Sequence, residues 1–83
     1  MKKYIKRKYF NDPVAKAIVA NLLFYRGRYK ISQDRLSKLA DIPCQTISKI
    51  EAYATRYPTQ TTLEKIAKAL RIKVEDLINQ ELS

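Results

Sequence analysis

The stretch Ser32 to Glu51, SQDRLSKLADIPCQTISKIE, decides the fold. Leu36, Leu39 and Ala40 recur at the three- and four-residue steps of one helix face, and Ile47 and Ile50 repeat the pattern after a break. The break is Asp41-Ile42-Pro43. Proline disfavours helical geometry in the residue before it, so Ile42 leaves the helix early, and aspartate visits left-handed backbone at small cost. The spacing therefore predicts two short helices joined by a tight turn, the shape needed to enter a DNA groove.

Working outward, the chain has 83 residues, enough for one small domain. Lysine and arginine number 17 against 8 acids, a formal charge of +9, so an anionic partner is expected. Much of the excess is local: Lys2, Lys3, Lys6, Arg7 and Lys8 open the chain without an acid, leaving 12 basic residues against 8 acidic in the remainder. Residues 1–11 read as a basic N-terminal arm interleaved with Tyr4, Tyr9 and Phe10. Such an arm suits a phosphate backbone or minor groove, or serves as a solubilising tail. Residues 12–83 read as the folded domain.

One cysteine, Cys44, rules out an internal disulfide, and the absence of histidine removes the usual metal and imidazole chemistry; no metal and no cofactor are expected. No apolar run approaches the about 20 residues that span a bilayer, and no secretory signal is evident, so a soluble cytoplasmic protein is expected.

The remaining elements are helices. Asp12 is placed to cap and Pro13 to open the first, with Val14, Ile18, Leu22 and Tyr25 along one stripe, Ala17 and Ala20 beside it, and the pattern fading near Gly27. The second runs from a Ser32 cap to about Ala40, and the third from Cys44 to about Ala52. Tyr53 to Thr59 reads as a loop. A fourth helix is expected to open on Thr61-Thr62-Leu63-Glu64 as a capping box, burying Leu63, Ile66, Ala67 and Leu70. A short fifth covers about Val74 to Asn79, and no strand alternation is visible.

The order of Ile31-Ser32-Gln33 before Leu36, Gln45 to Glu51, Pro58, Leu63 to Leu70 and Val74 to Ile78 resembles the lambda-repressor-like, or Xre/Cro-type, helix-turn-helix DNA-binding family over about Leu22 to Asn79. The resemblance implies an all-α, compact five-helix domain. It also implies an ion pair between Arg26 and Glu51. Lys30 and Asp41 stand where the family often has glycine, Pro43 where a serine commonly caps the recognition helix, and Tyr53 in place of a loop glycine.

With Ile47 and Ile50 turned inward, the outward positions of the third helix are Cys44, Gln45, Ser48 and Lys49, the expected base contacts. The Gln45 amide matches the N6 and N7 edge of adenine; Lys49 suits guanine or a phosphate; Cys44 suits a thymine methyl, an oxidant sensor or simply a small residue. The alternative for all four is an ordinary solvated face. The resemblance adds Gln33, Thr46, Thr55, Arg56 and Tyr57 as phosphate contacts. Val74, Leu77, Ile78 and Leu82 are expected to line a homodimer interface, since one recognition helix reads too few bases to find its site.

The expected function is a sequence-specific double-stranded DNA-binding transcriptional regulator, a repressor acting as a dimer on a palindromic operator. No second domain is seen in the chain to bind an effector, and none is expected. The alternative is an antitoxin that neutralises a toxin protein and autoregulates its operon; an exposed apolar patch at the C-terminal end would mark it. Catalysis is not expected, because no paired-carboxylate pocket, nucleophile with base, or glycine-rich phosphate loop is present.

Overall fold

The computed structural model describes residues 7–79. Its element order is α1 (Pro13–Tyr29), α2 (Gln33–Ala40), α3 (Cys44–Glu51), α4 (Gln60–Leu70) and α5 (Val74–Ile78), with no strand among the described residues. α1 packs against α3 and α5, α2 against α3 and α4, and α4 against α5. One core joins them: Ile18, Val19, Leu22, Leu36, Ile47, Ile50, Leu63, Ile66, Leu70 and Leu77 are all buried.

Caps fix the helix starts. The Asp12 carboxylate accepts from the amides of Val14 (2.9 Å) and Ala15 (3.1 Å), satisfying two end donors, while Pro13 at the first position has none to lose. Ser32 caps α2 through Arg35 N–H at 3.0 Å. α4 begins earlier than its sequence implies. Thr59 is the cap, its hydroxyl accepting from the Thr62 amide at 3.2 Å, and Glu64 meets Gln60 rather than closing a box with Thr61. Pro58, buried and lacking an N–H, keeps Tyr57 before it out of helical geometry, and Thr59 directly after it takes the extended backbone of a cap.

The helix ends share one device. Lys30, Asp41, Tyr53 and Arg71 take left-handed backbone with φ of 56°, 57°, 59° and 59°, although none is glycine. In each case the next amide reaches back to a carbonyl of the last turn: Ile31 to Arg26, Ile42 to Ser37, Ala54 to Lys49 and Ile72 to Ala67, at 2.9–3.1 Å. Ile31, Ile42 and Ile72 then pack on the core, the apolar contact that accompanies this ending. Burial of the following isoleucine offsets the cost of about 1 kcal/mol or more for left-handed geometry at an L-residue.

Two expectations about the core fail. Leu39 is 49% exposed, because α2 is wedged between α3 and α4 and its inward stripe is Leu36, Ser37 and Ala40. Leu77, expected at a homodimer interface, is fully buried in the chain's own core, while Val74 and Ile78 beside it are half-buried. Leu82 lies outside the described residues.

The one glycine, Gly27, sits inside α1 with ordinary helical backbone, and a β-carbon placed there would meet nothing within 4 Å. Gly27→Ala is expected to raise folding stability by about 0.5–1 kcal/mol, through the lower chain entropy of alanine in the unfolded state, as read from the urea midpoint at unchanged slope.

Candidate nucleic-acid interface

The polar support beneath α3 is built from three helices. Arg26, near the end of α1, donates from Nε to Glu51 Oε2 (2.8 Å) and from Nη2 to Glu51 Oε1 (2.9 Å), a two-pronged pairing. Its Nη1 also donates to the Ile31 carbonyl at 2.9 Å, fixing the α1–α2 turn. Gln33, the first residue of α2, donates to Glu51 Oε1 at 2.7 Å and accepts from the Ser48 hydroxyl at 2.9 Å. The chain Arg26–Glu51–Gln33–Ser48 thereby ties α1, α2 and α3 into one rigid unit. The side chains of Arg26 and Glu51 are only 19% and 9% exposed, so this pair is well shielded from water.

On this support α3 presents Gln45 outward in its first turn, with Cys44, Thr46, Ser48 and Lys49 half-buried around it. Ile47 and Ile50 are buried on the opposite side. Pro43 precedes α3 with extended backbone and no side-chain cap, leaving the first amides of α3 without a side-chain acceptor. Ser48, expected outward, has its hydroxyl proton committed to Gln33. Gln33, expected at a phosphate, spends both ends of its amide inside the support. A groove of about 220 Å³ lies between α3 and the start of α4, lined by Thr46, Lys49, Thr55, Tyr57, Thr59 and Thr62 among others.

The loop after α3 is held by the N-terminal segment, and no local signal in the sequence announces this. Arg7 N–H donates to the Ala52 carbonyl (2.6 Å) and Tyr9 N–H to the Tyr53 carbonyl (2.8 Å), capping the end of α3. The Arg7 guanidinium lies 4.0 Å from the Phe10 ring centre, and Phe10 meets the Tyr53 ring edge-on at 5.0 Å. Arg56 Nε pairs with Asp12 Oδ2 at 2.6 Å, linking the loop to the cap of α1. The Arg56 guanidinium holds the Asp12 carboxyl below its ordinary value, with the Ala15 and Val14 amides adding to the effect, and Asp12 in turn raises Arg56. Lys8 is exposed, and Lys2, Lys3 and Lys6 lie outside the described residues.

Five helices in this order, with a short turn before a supported and outward-facing α3, define the arrangement. The sequence model of the helix-turn-helix family matches residues 22–77, more than half of the chain. The chain belongs to the helix-turn-helix family. It is a lambda-repressor-like member of this family of DNA-binding transcription regulators. Searches of curated proteins and of solved structures found no match. Among the described residues, no helix of this helix-turn-helix chain is long and apolar enough to cross a membrane.

Proposed function

We propose that this chain is a sequence-specific regulator that reads double-stranded DNA with α3 and represses by occupying an operator. The observation that carries this reading is Gln45: an exposed amide in the first turn of a helix whose opposite side is locked by two buried isoleucines and by the polar support. Its paired donor and acceptor match adenine in the major groove. Cys44 and Lys49 flank it, and the Ser48 hydroxyl still has lone pairs to accept while its proton serves Gln33.

Backbone phosphates would be met by the uncapped start of α3, by Thr46, Thr55 and Tyr57 at the groove before α4, and by Arg56, whose guanidinium keeps donors beyond the Nε used by Asp12. Gln33 acts here mainly by holding Ser48 and Glu51. The basic residues Lys2, Lys3, Lys6, Arg7 and Lys8 add affinity without sequence preference. Arg7 does so from a segment already docked at the end of α3. Two copies would bind a two-fold-related site in the cytoplasm, with no cofactor and no catalysis. The alternative, an antitoxin that binds a toxin protein and autoregulates its operon, calls for an exposed apolar patch at the C-terminal end, to which the buried Leu77 does not contribute.

The test is selection of bound duplexes from a random library, followed by the Gln45→Ala variant. Gln45→Ala is expected to lose about 1–3 kcal/mol of discrimination at one base-pair position while keeping non-specific affinity. Unchanged base preference would remove Gln45 from the readout, and no enriched motif from the wild-type protein would remove sequence-specific regulation itself.

A further inference from the structure

Three of the four left-handed helix ends are followed by an isoleucine that packs on the core, and the end of α3 is the exception. There Tyr53 is followed by Ala54, whose single methyl group offers little to bury. The N-terminal segment takes that place. The Tyr53 ring meets Phe10 edge-on at 5.0 Å, and the Ala52 and Tyr53 carbonyls at the helix end accept from the Arg7 and Tyr9 amides at 2.6 and 2.8 Å. Arg7 itself has a φ of 61°, a conformation that an L-residue keeps only where its surroundings impose it. The far end of the segment is pinned as well, by Asp12 Oδ2 accepting from Arg56 Nε.

Charge works against this docking. Asp12 is the one acid in residues 7–12, while Arg7 is drawn onto a surface that already carries Lys16 and Arg56. The Phe10 ring offsets the repulsion: the Arg7 guanidinium lies 4.0 Å and the Lys16 ammonium 5.5 Å from its centre. We infer that Phe10 and Tyr53 are positioning residues for DNA binding. Their ring contact holds residues 7–12 on the end of α3, so that Arg7, Lys8 and Arg56 form one phosphate-binding surface beside the loop between α3 and α4. The role rests on the reading of α3 and its loop as the DNA-facing side. A free basic arm must give up chain freedom when it meets phosphates, whereas a docked one has given it up in folding, so the same charges bind more tightly.

Phe10→Ala separates placement from charge, because the formal charge stays +9 and Phe10 lies outside the core. Native-state hydrogen exchange of the full chain reads the docking without DNA. The Arg7 and Tyr9 amides should be protected in the wild type and in Phe10→Tyr, which keeps the ring. In Phe10→Ala they should exchange at least tenfold faster, with the amides of α1 unchanged. Binding to a duplex of arbitrary sequence, titrated with sodium chloride, reads the positioning role. Phe10→Ala should bind about tenfold more weakly, with the slope of log affinity against log salt smaller by about one and base preference unchanged, and Phe10→Tyr should bind as the wild type does. Arg7 and Tyr9 amides that are unprotected in the wild type, or still protected in Phe10→Ala, overturn docking by the ring contact. Unaltered DNA affinity in Phe10→Ala once that protection is gone overturns the positioning role and leaves the segment as a cap for α3. A wild-type chain that binds no duplex removes the DNA reading, and the positioning role with it, while protected amides would still show the segment docked.

Discussion

Asn21→Asp is expected to destabilise the fold by about 3 kcal/mol or more at neutral pH, and by much less in acid. Asn21 is fully buried where α1 meets α5, and its amide nitrogen donates to the Leu77 carbonyl at 2.8 Å and the Asn79 carbonyl at 2.7 Å. Those two bonds fix which end of the amide faces α5 and tie the chain's last helix to its first. An aspartate there points carboxylate oxygen at two carbonyl oxygens at a fully buried position, and the Asn21 Oδ1 has no hydrogen-bond partner among the described residues.

The introduced carboxyl must therefore have a folded-state pKa above its unfolded value of about 3.9. The protonated form is favoured by folding, so the variant's deficit is smallest below about pH 4, where both states hold the proton. The deficit grows as pH rises towards the raised folded pKa, then levels off. Even at low pH one O–H replaces two N–H donors, leaving a residual loss. Urea unfolding of wild type and variant from pH 4 to 8 measures this difference directly. Asn21→Ala, which removes both amide donations to the end of α5 but adds no charge, should cost about 2 kcal/mol without that pH dependence. A flat difference for Asn21→Asp would show that α5 swings away and lets water reach the carboxylate.

Glu51→Ala is expected to cost about 3 kcal/mol, a large share of the about 5–15 kcal/mol that holds a small domain together. Glu51 accepts three charge-assisted or amide hydrogen bonds, two from Arg26 and one from Gln33, and the pair is mostly shielded from solvent. Removing it leaves the Arg26 guanidinium with only the Ile31 carbonyl and releases Gln33 and hence Ser48. A double-mutant cycle with Arg26→Leu and Glu51→Leu separates the two contributions. The double variant should lose clearly less than the sum of the singles, because neither charge is then stranded. A cost below about 1 kcal/mol for Glu51→Ala would class the pair with ordinary surface bridges. Because Glu51 closes α3, the same variant should weaken binding to every DNA sequence, unlike Gln45→Ala, which acts at one position.

The sequence by itself determined the five helices, apart from the start of α4, and the turn between α2 and α3. Asp12 and Ser32 act as caps because their side chains reach amides two or three residues away, and Asp41-Ile42-Pro43 stops α2 through local backbone geometry. The outward place of Gln45 and the inward places of Ile47 and Ile50 followed from helical period, which needs no knowledge of the partner surface. Family resemblance supplied the Arg26–Glu51 pair, and the structure contains it.

What only the tertiary structure decided depends on groups distant in sequence. Leu39 and Leu36 have the same chemistry, and the position of α2 between α3 and α4 chose Leu36 for the core. Leu77 looked like an interface residue until α1 and α4 closed over it. Asp12 with Arg56, Arg7 with Phe10 and Tyr53, and Asn21 with the α5 carbonyls join residues across the whole chain. In α1 the stripe of Val14, Ile18, Leu22 and Tyr25 read from the period does face the core, but Val19 and Leu23 are equally apolar, and only packing against α3 and α5 shows that Val19 is buried while Leu23 and Phe24 stay exposed. Local hydrogen bonding and periodicity fix where helices start, stop and turn, whereas the choice between two equally apolar faces is made by whichever neighbour the folded chain brings against them.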